Sequence, residues 1–198
     1  MNYERLLSYG NIFPLQLYCE PSVILKDIRN FKFSDYNPSK PNNRKGLSIT
    51  SLDGKINGID LDSLRDLPHD EGDFRCTTDV YHQSRELYRA LKPYKPWLCR
   101  SHFINMKKGG YFPPHRDEFT EKQEYFRIII PISFFNPPDH YFIYDDKILN
   151  LNLGRGYFMN TNVCHSLFSY SDEAMFIVLN IESCEDSHKT IIKNLLSA

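Results

Sequence analysis

The stretch GGYFPPHRDEF at residues 109–119, with FRIIIPI at 126–132 and NTNVCHSLFSYS at 160–171, decides how this chain folds. Two glycines and two prolines ahead of His115 read as a stiff turn leading into strand. FRIIIPI is short, apolar and rich in β-branched side chains, which suits a buried strand better than a helix. Working outward, runs of the same texture recur: WLCRSHFINM (97–106), HYFIYDD (140–146), ILNLNL (148–153), RGYFMN (155–160), HSLFSYS (165–171) and AMFIVLNIE (174–182). Seven such runs within about ninety residues, separated by turn residues, imply an antiparallel sandwich or barrel.

Upstream the texture differs. FSDYNPSKPNNRKG (33–46) reads as a polar loop, and GLSITSLDGKINGIDL (46–61) as a hairpin about an Asp-Gly turn. TDVYHQSRELYRAL (78–91) has helical spacing, with Thr77 or Thr78 as cap and Pro93 as stop. DSHKTIIKNLLSA (186–198) reads as a closing helix. The expected division of the 198 residues is one domain: an N-terminal segment over 1–95, a β core over 96–183 and a C-terminal helix over 184–198.

The net charge of −1 and the lack of a basic block give no electrostatic footprint for nucleic acid. No segment approaches the length of an apolar membrane span, and the N-terminus lacks a signal-like apolar stretch. The five cysteines are odd in number and have no CxxC spacing, which suits reduced thiols in a cytoplasmic protein.

His115 and Asp117 are two residues apart, so in extended chain both project to one side. His165 can supply a third donor. Two imidazoles and one carboxylate on one face of an ion, with the opposite face open, are the facial triad that suits Fe(II). Arg116, between the first two, should point away from the ion. His69, His82, His102, His140 and His188 lack partners at ligand spacing, although the strand of His102 leads into the site. Cys164, beside His165, reads as a buried thiol rather than a ligand.

On these motifs the stretch from about Trp97 to Ile181 resembles the aspartyl/asparaginyl β-hydroxylase-like branch of the Fe(II)/2-oxoglutarate-dependent dioxygenases, which includes free-proline hydroxylases. The resemblance implies a double-stranded β-helix, a jelly-roll or cupin-like barrel, flanked by N-terminal helices or a hairpin and by the C-terminal helix. It implies Fe(II) held by His115, Asp117 and His165, with 2-oxoglutarate and O2 as co-substrates. The implied reaction is hydroxylation of an unactivated C–H of an amino acid or peptide side chain, with succinate and CO2 as co-products. Relatives anchor the far carboxylate of 2-oxoglutarate on an arginine about ten residues after the distal histidine. Here the corresponding position is Met175, and no Lys or Arg lies between His165 and Lys189.

Arg127 is the expected substitute, because FRIIIPI is similar to the family's R-[IL]-x-[IL]-P-[IL] strand and an arginine opening an apolar strand needs an anion. Arg155, between two glycines, is the second candidate, and Asn105 could add a hydrogen bond. Arg100 is a candidate for substrate contact. Two other readings stay open: a non-catalytic jelly-roll module that binds a metal or ligand, and a cupin-type metalloenzyme that does not use 2-oxoglutarate.

Overall fold

A computed structural model describes residues 3–36, 43–56, 69–117 and 124–195. Its centre is eight strands: β6 (His102–Met106), β7 (Tyr111–His115), β8 (Tyr125–Ser133), β9 (His140–Tyr144), β10 (Lys147–Leu149), β11 (Arg155–Met159), β12 (His165–Ser169) and β13 (Ala174–Glu182). They divide between two facing sheets. β11-β8-β13-β6 form the middle of one, and β10-β9-β12-β7 form the other. The fold is a double-stranded β-helix of jelly-roll type, with helices before and after it.

The larger sheet reaches seven strands by additions at both edges. β1 (Ile12–Tyr18) pairs with β11, while β3 (Arg44–Ser48) pairs with β6 and then with β2 (Ser34–Asp35). A separate two-stranded piece joins β4 (Thr50–Ser51) to β5 (Cys76–Thr77).

Side-chain alternation splits the core into two layers. Ile128, Ile130, Ile177, Leu179 and Ile181 pack outward against Leu6, Ile24, Leu87, Leu91 and Ile191 of the surrounding helices. Ile129, Phe176 and Val178 point the other way, toward Phe135, Phe142 and Leu167 in the space between the sheets. The central strands are apolar on both faces because both faces are covered, hence the unbroken run IIIPI.

Five sequence expectations change. GGYFPPH contains a strand as well as a turn: Gly109 makes the turn at φ +79, and Tyr111–His115 pairs with β12. β7 is the last strand of its sheet, and its pairing with β12 shifts register at Pro113–Pro114; an edge and a bulge are where prolines are tolerated. The loop expected at Phe33–Gly46 is a β2–β3 pairing, Ser34 opposite Gly46 and Asp35 opposite Lys45, with 37–42 outside the described residues. In the hairpin expected over Gly46–Leu61, the described part pairs instead with β6 and β5, and 57–61 fall outside the described residues. The helix expected over 78–91 is two helices, Asp79–Gln83 and Arg85–Leu91, broken at Ser84. Ser84 is extended (φ −89°, ψ 103°), and its hydroxyl accepts from the Leu87 amide and donates to Asp27. Finally, Ile12–Tyr18, outside the strand-like runs read from the sequence, forms β1; Pro14 within it is tolerated because β1 lies at a sheet edge.

Candidate metal centre

β7 and β12 lie side by side in the smaller sheet with His115 directly opposite His165. The two imidazole centroids are 4.3 Å apart. The chain leaves β7 at His115, and the Asp117 amide donates to the Thr161 carbonyl at 2.9 Å, which ties this turn to the loop leading into β12. His115, Asp117 and His165 thereby offer one ligand atom each, all within 4.8 Å of one another. Arg116 between them is exposed.

Both imidazoles are oriented by the main chain. The Nδ1 of His115 is 2.6 Å from the Pro113 carbonyl and that of His165 is 2.9 Å from the Val163 carbonyl. A carbonyl can only accept, so each Nδ1 carries a proton, and Nε2 is the nitrogen that offers a lone pair in the neutral ring. Burial pushes the His165 pKa below its usual value and favours this neutral form. The Nε2 of His115 lies 3.5 Å from Asp117 Oδ1. Two neutral imidazole nitrogens and one carboxylate oxygen, converging from adjacent strands, fit a divalent ion such as Fe(II).

Arg127 enters from the opposite sheet. Its position on β8 shares the inward face with Ile129, and its Nη1 contacts Asp117 Oδ2 at 2.7 Å. Asp117 therefore has one oxygen on a guanidinium and the other beside His115. A second carboxylate, Glu71, lies 3.9 Å from Arg127 and 3.8 Å from Arg100 and accepts from Asn180 at 2.6 Å. Burial opposes the charge on Arg127, but Asp117 and Glu71 more than offset this and hold its pKa above the usual value. Burial raises the Glu71 pKa against the pull of both arginines. Four charged groups, two of each sign, thus cluster on the Asp117 side of the candidate metal ligands.

The other sequence candidates fall elsewhere. Asn105 alternates with Ile104 and Met106, which belong to the inner layer, so its side chain lies on the outer face; its amide is 3.4 Å from the Ala174 carbonyl. Arg155 opens β11, donates to the Leu15 carbonyl at 3.1 Å and packs over the Tyr18 ring. The structure does not bring either residue to the His115–Asp117–His165 group. Met175 packs in the outer layer as well, so the inward positions of that strand are Ala174 and Phe176. Cys164 is half-buried, and none of the five cysteines forms a disulfide.

Four pocket residues were not singled out by the sequence. Glu71 lies in an acidic stretch that reads as solvated surface, and Asn180 in an apolar strand. Tyr36 and Arg44 flank the polar segment 37–42. The Tyr36 hydroxyl is 3.2 Å from Nε2 of His102, and burial holds the His102 pKa well below its ordinary range. Only the alternation of β3, with Leu47 outward, could have flagged Arg44 as inward-facing.

The chain matches no protein-family model and no curated protein sequence. Solved structures do resemble it. HygX from Streptomyces hygroscopicus, determined with nickel, 2-oxoglutarate and hygromycin B bound, superposes with a TM-score of 0.53 at 10% identity over 92% of this chain and 87% of that one. An oxidoreductase of the 2OG-Fe(II) oxygenase family from Burkholderia pseudomallei gives 0.51 at 12% identity over 91% and 88%. At such identities the likeness establishes the fold: this chain has the barrel on which those oxygenases are built.

Proposed function

We propose that the protein is an Fe(II)- and 2-oxoglutarate-dependent dioxygenase that hydroxylates an unactivated C–H of an amino acid or peptide side chain. One observation carries the reading. His115, Asp117 and His165 converge at the mouth of a double-stranded β-helix, with each imidazole fixed so that Nε2 is free. Bound Fe(II) would supply the redox chemistry that couples O2 reduction and decarboxylation of 2-oxoglutarate, to succinate and CO2, with oxidation of the substrate.

The chain's own part is placement and exclusion of water. His165, buried and neutral, presents a nitrogen that needs no deprotonation before binding a metal. Arg127 holds one oxygen of Asp117, which favours a single Asp117–metal bond and leaves coordination positions for co-substrate and O2. The inner layer of Ile129, Phe135, Phe142, Phe176 and Val178 keeps the floor of the site dry.

The test is succinate formation by the purified protein with Fe(II), 2-oxoglutarate and ascorbate, with and without a panel of amino acids. Succinate release that requires Fe(II) and rises with one panel member is expected. A second reading, a cupin-type metalloenzyme that does not use 2-oxoglutarate, is favoured by Met175 at the position where relatives keep an arginine. A protein that retains the metal but neither binds nor consumes 2-oxoglutarate would decide for that reading.

A further inference from the structure

Arg44 sits on β3, outside the eight-stranded barrel, yet it faces the pocket and is only 9% exposed. Its guanidinium carbon lies 4.1 Å from the centroid of the Phe112 ring and 5.3 Å from that of Tyr36. Phe112 in turn stacks on His115, with centroids 6.3 Å apart. The cation is therefore one aromatic ring away from a candidate metal ligand. It differs from Arg100 and Arg127, which share Glu71 and Asp117. Among the described residues no carboxylate pairs with Arg44, and its Nε has no hydrogen-bond partner. The adjoining segment 37–42, NPSKPN, contains no acid that could serve.

A buried guanidinium without an anion is costly. Ring faces recover part of that cost, but they contact the flat face of the cation and leave the in-plane N–H fork free. That fork matches a carboxylate in two parallel hydrogen bonds. Among the described residues the nearby carboxylates are engaged at the Arg100–Arg127 end, which leaves the fork of Arg44 open to the anion of a ligand.

We propose that Arg44 receives the far carboxylate of 2-oxoglutarate, so that the co-substrate is anchored from an accessory strand rather than from the barrel. The inference rests on the proposed function. It accounts for the apolar side chains of Ala174 and Phe176 on β13, because the anchor comes from two strands away in the same sheet, where Arg44 pairs with Met106 and Met106 with Ala174. It also makes Arg44 the residue that selects 2-oxoglutarate over 2-oxo acids lacking a second carboxylate.

The experiment is calorimetry on the Zn(II)-loaded protein, which binds without turnover, using 2-oxoglutarate and 2-oxopentanoate, which carries a methyl in place of the far carboxylate. The native protein should favour 2-oxoglutarate strongly. Arg44→Met should weaken 2-oxoglutarate about 30-fold or more, in line with truncating one partner of a buried charge pair, and leave 2-oxopentanoate and Zn(II) binding unchanged. Arg44→Lys, which keeps the charge but loses the fork, should fall between and serves the same comparison if Arg44→Met does not fold. Without ligand, Arg44→Met should melt no lower than the native protein, whereas a structural arginine would lower the melting temperature. Unchanged 2-oxoglutarate affinity in Arg44→Met, equal loss of both acids, or loss of the preference on replacing Arg100 or Arg127 instead would overturn the proposal. If the native protein binds Zn(II) but neither acid, the oxygenase reading fails and the anchor with it.

Discussion

His115, Asp117 and His165 are where residue chemistry is plainest: the β7–β12 pairing sets His115 opposite His165, and hydrogen bonds to Pro113, Val163 and Thr161 fix their orientation. Replacing any of the three with Ala should remove most bound metal, measured by elemental analysis after reconstitution, while circular dichroism stays native. Full metal occupancy in His165→Ala would mean that the ligand set is wrong. Arg127 acts on the metal through Asp117, so Arg127→Met should weaken metal binding by roughly 10- to 100-fold, the usual effect of losing an outer partner of a ligand. Arg155→Met should change neither metal nor 2-oxoglutarate affinity, because its guanidinium is occupied at Leu15 and Tyr18. The three residues were legible in the sequence as donor types in a turn-and-strand setting, but Asp117 reaches the group through the turn after β7, tied to Thr161, rather than through strand alternation. Arg44 was not, because its place depends on β3 pairing with β6, some sixty residues along the chain.

At the scale of elements, most strands of the barrel were readable because they carry a buried apolar run of their own, whereas β7, with no buried residue, reads as a turn. The pieces misread were those whose partner is distant or whose local signal is contradictory. β1 contains a proline, β2 has two exposed polar residues, and Ser84 interrupts an otherwise helical period. Ser84 is a hinge with two bonds to lose. Ser84→Ala should cost about 1–2 kcal/mol in urea unfolding, because the Leu87 amide loses its cap and Asp27 loses a donor. A change below a few tenths would show that the break is imposed by packing alone. The β2–β3 pairing is the element nearest Arg44, so amide exchange of Arg44–Ser48 should slow when 2-oxoglutarate is added to the Zn(II) protein. No added protection there at saturation would separate these strands from the ligand.

The whole molecule encloses histidines that are not part of the metal-ligating group, and this sets how its stability responds to acid. His140 is fully buried between the sheets, stacked on Phe135 at 4.6 Å, with Nδ1 3.3 Å from the Phe135 carbonyl and Nε2 3.4 Å from Met106 Sδ. Burial lowers its pKa from 6.5 to about 4, and the carbonyl contact only partly opposes this. Between those values the unfolded chain binds a proton that the folded protein refuses. Stability must then rise with pH through the window from about 4 to 6.5 and level off above it. By linkage the shift corresponds to about 3 kcal/mol between the two ends, an order-of-magnitude figure. His102, also buried and also lowered, steepens the loss in the same direction. Urea unfolding of metal-free protein at pH 7, 5.5 and 4.5 should show this fall, and His140→Gln should flatten it while lowering stability at pH 7. Parallel profiles for native protein and variant would exclude His140 as the group responsible. Two sheets that enclose neutral imidazoles for packing are thereby committed to near-neutral pH, the same range in which His165 is free to bind a metal.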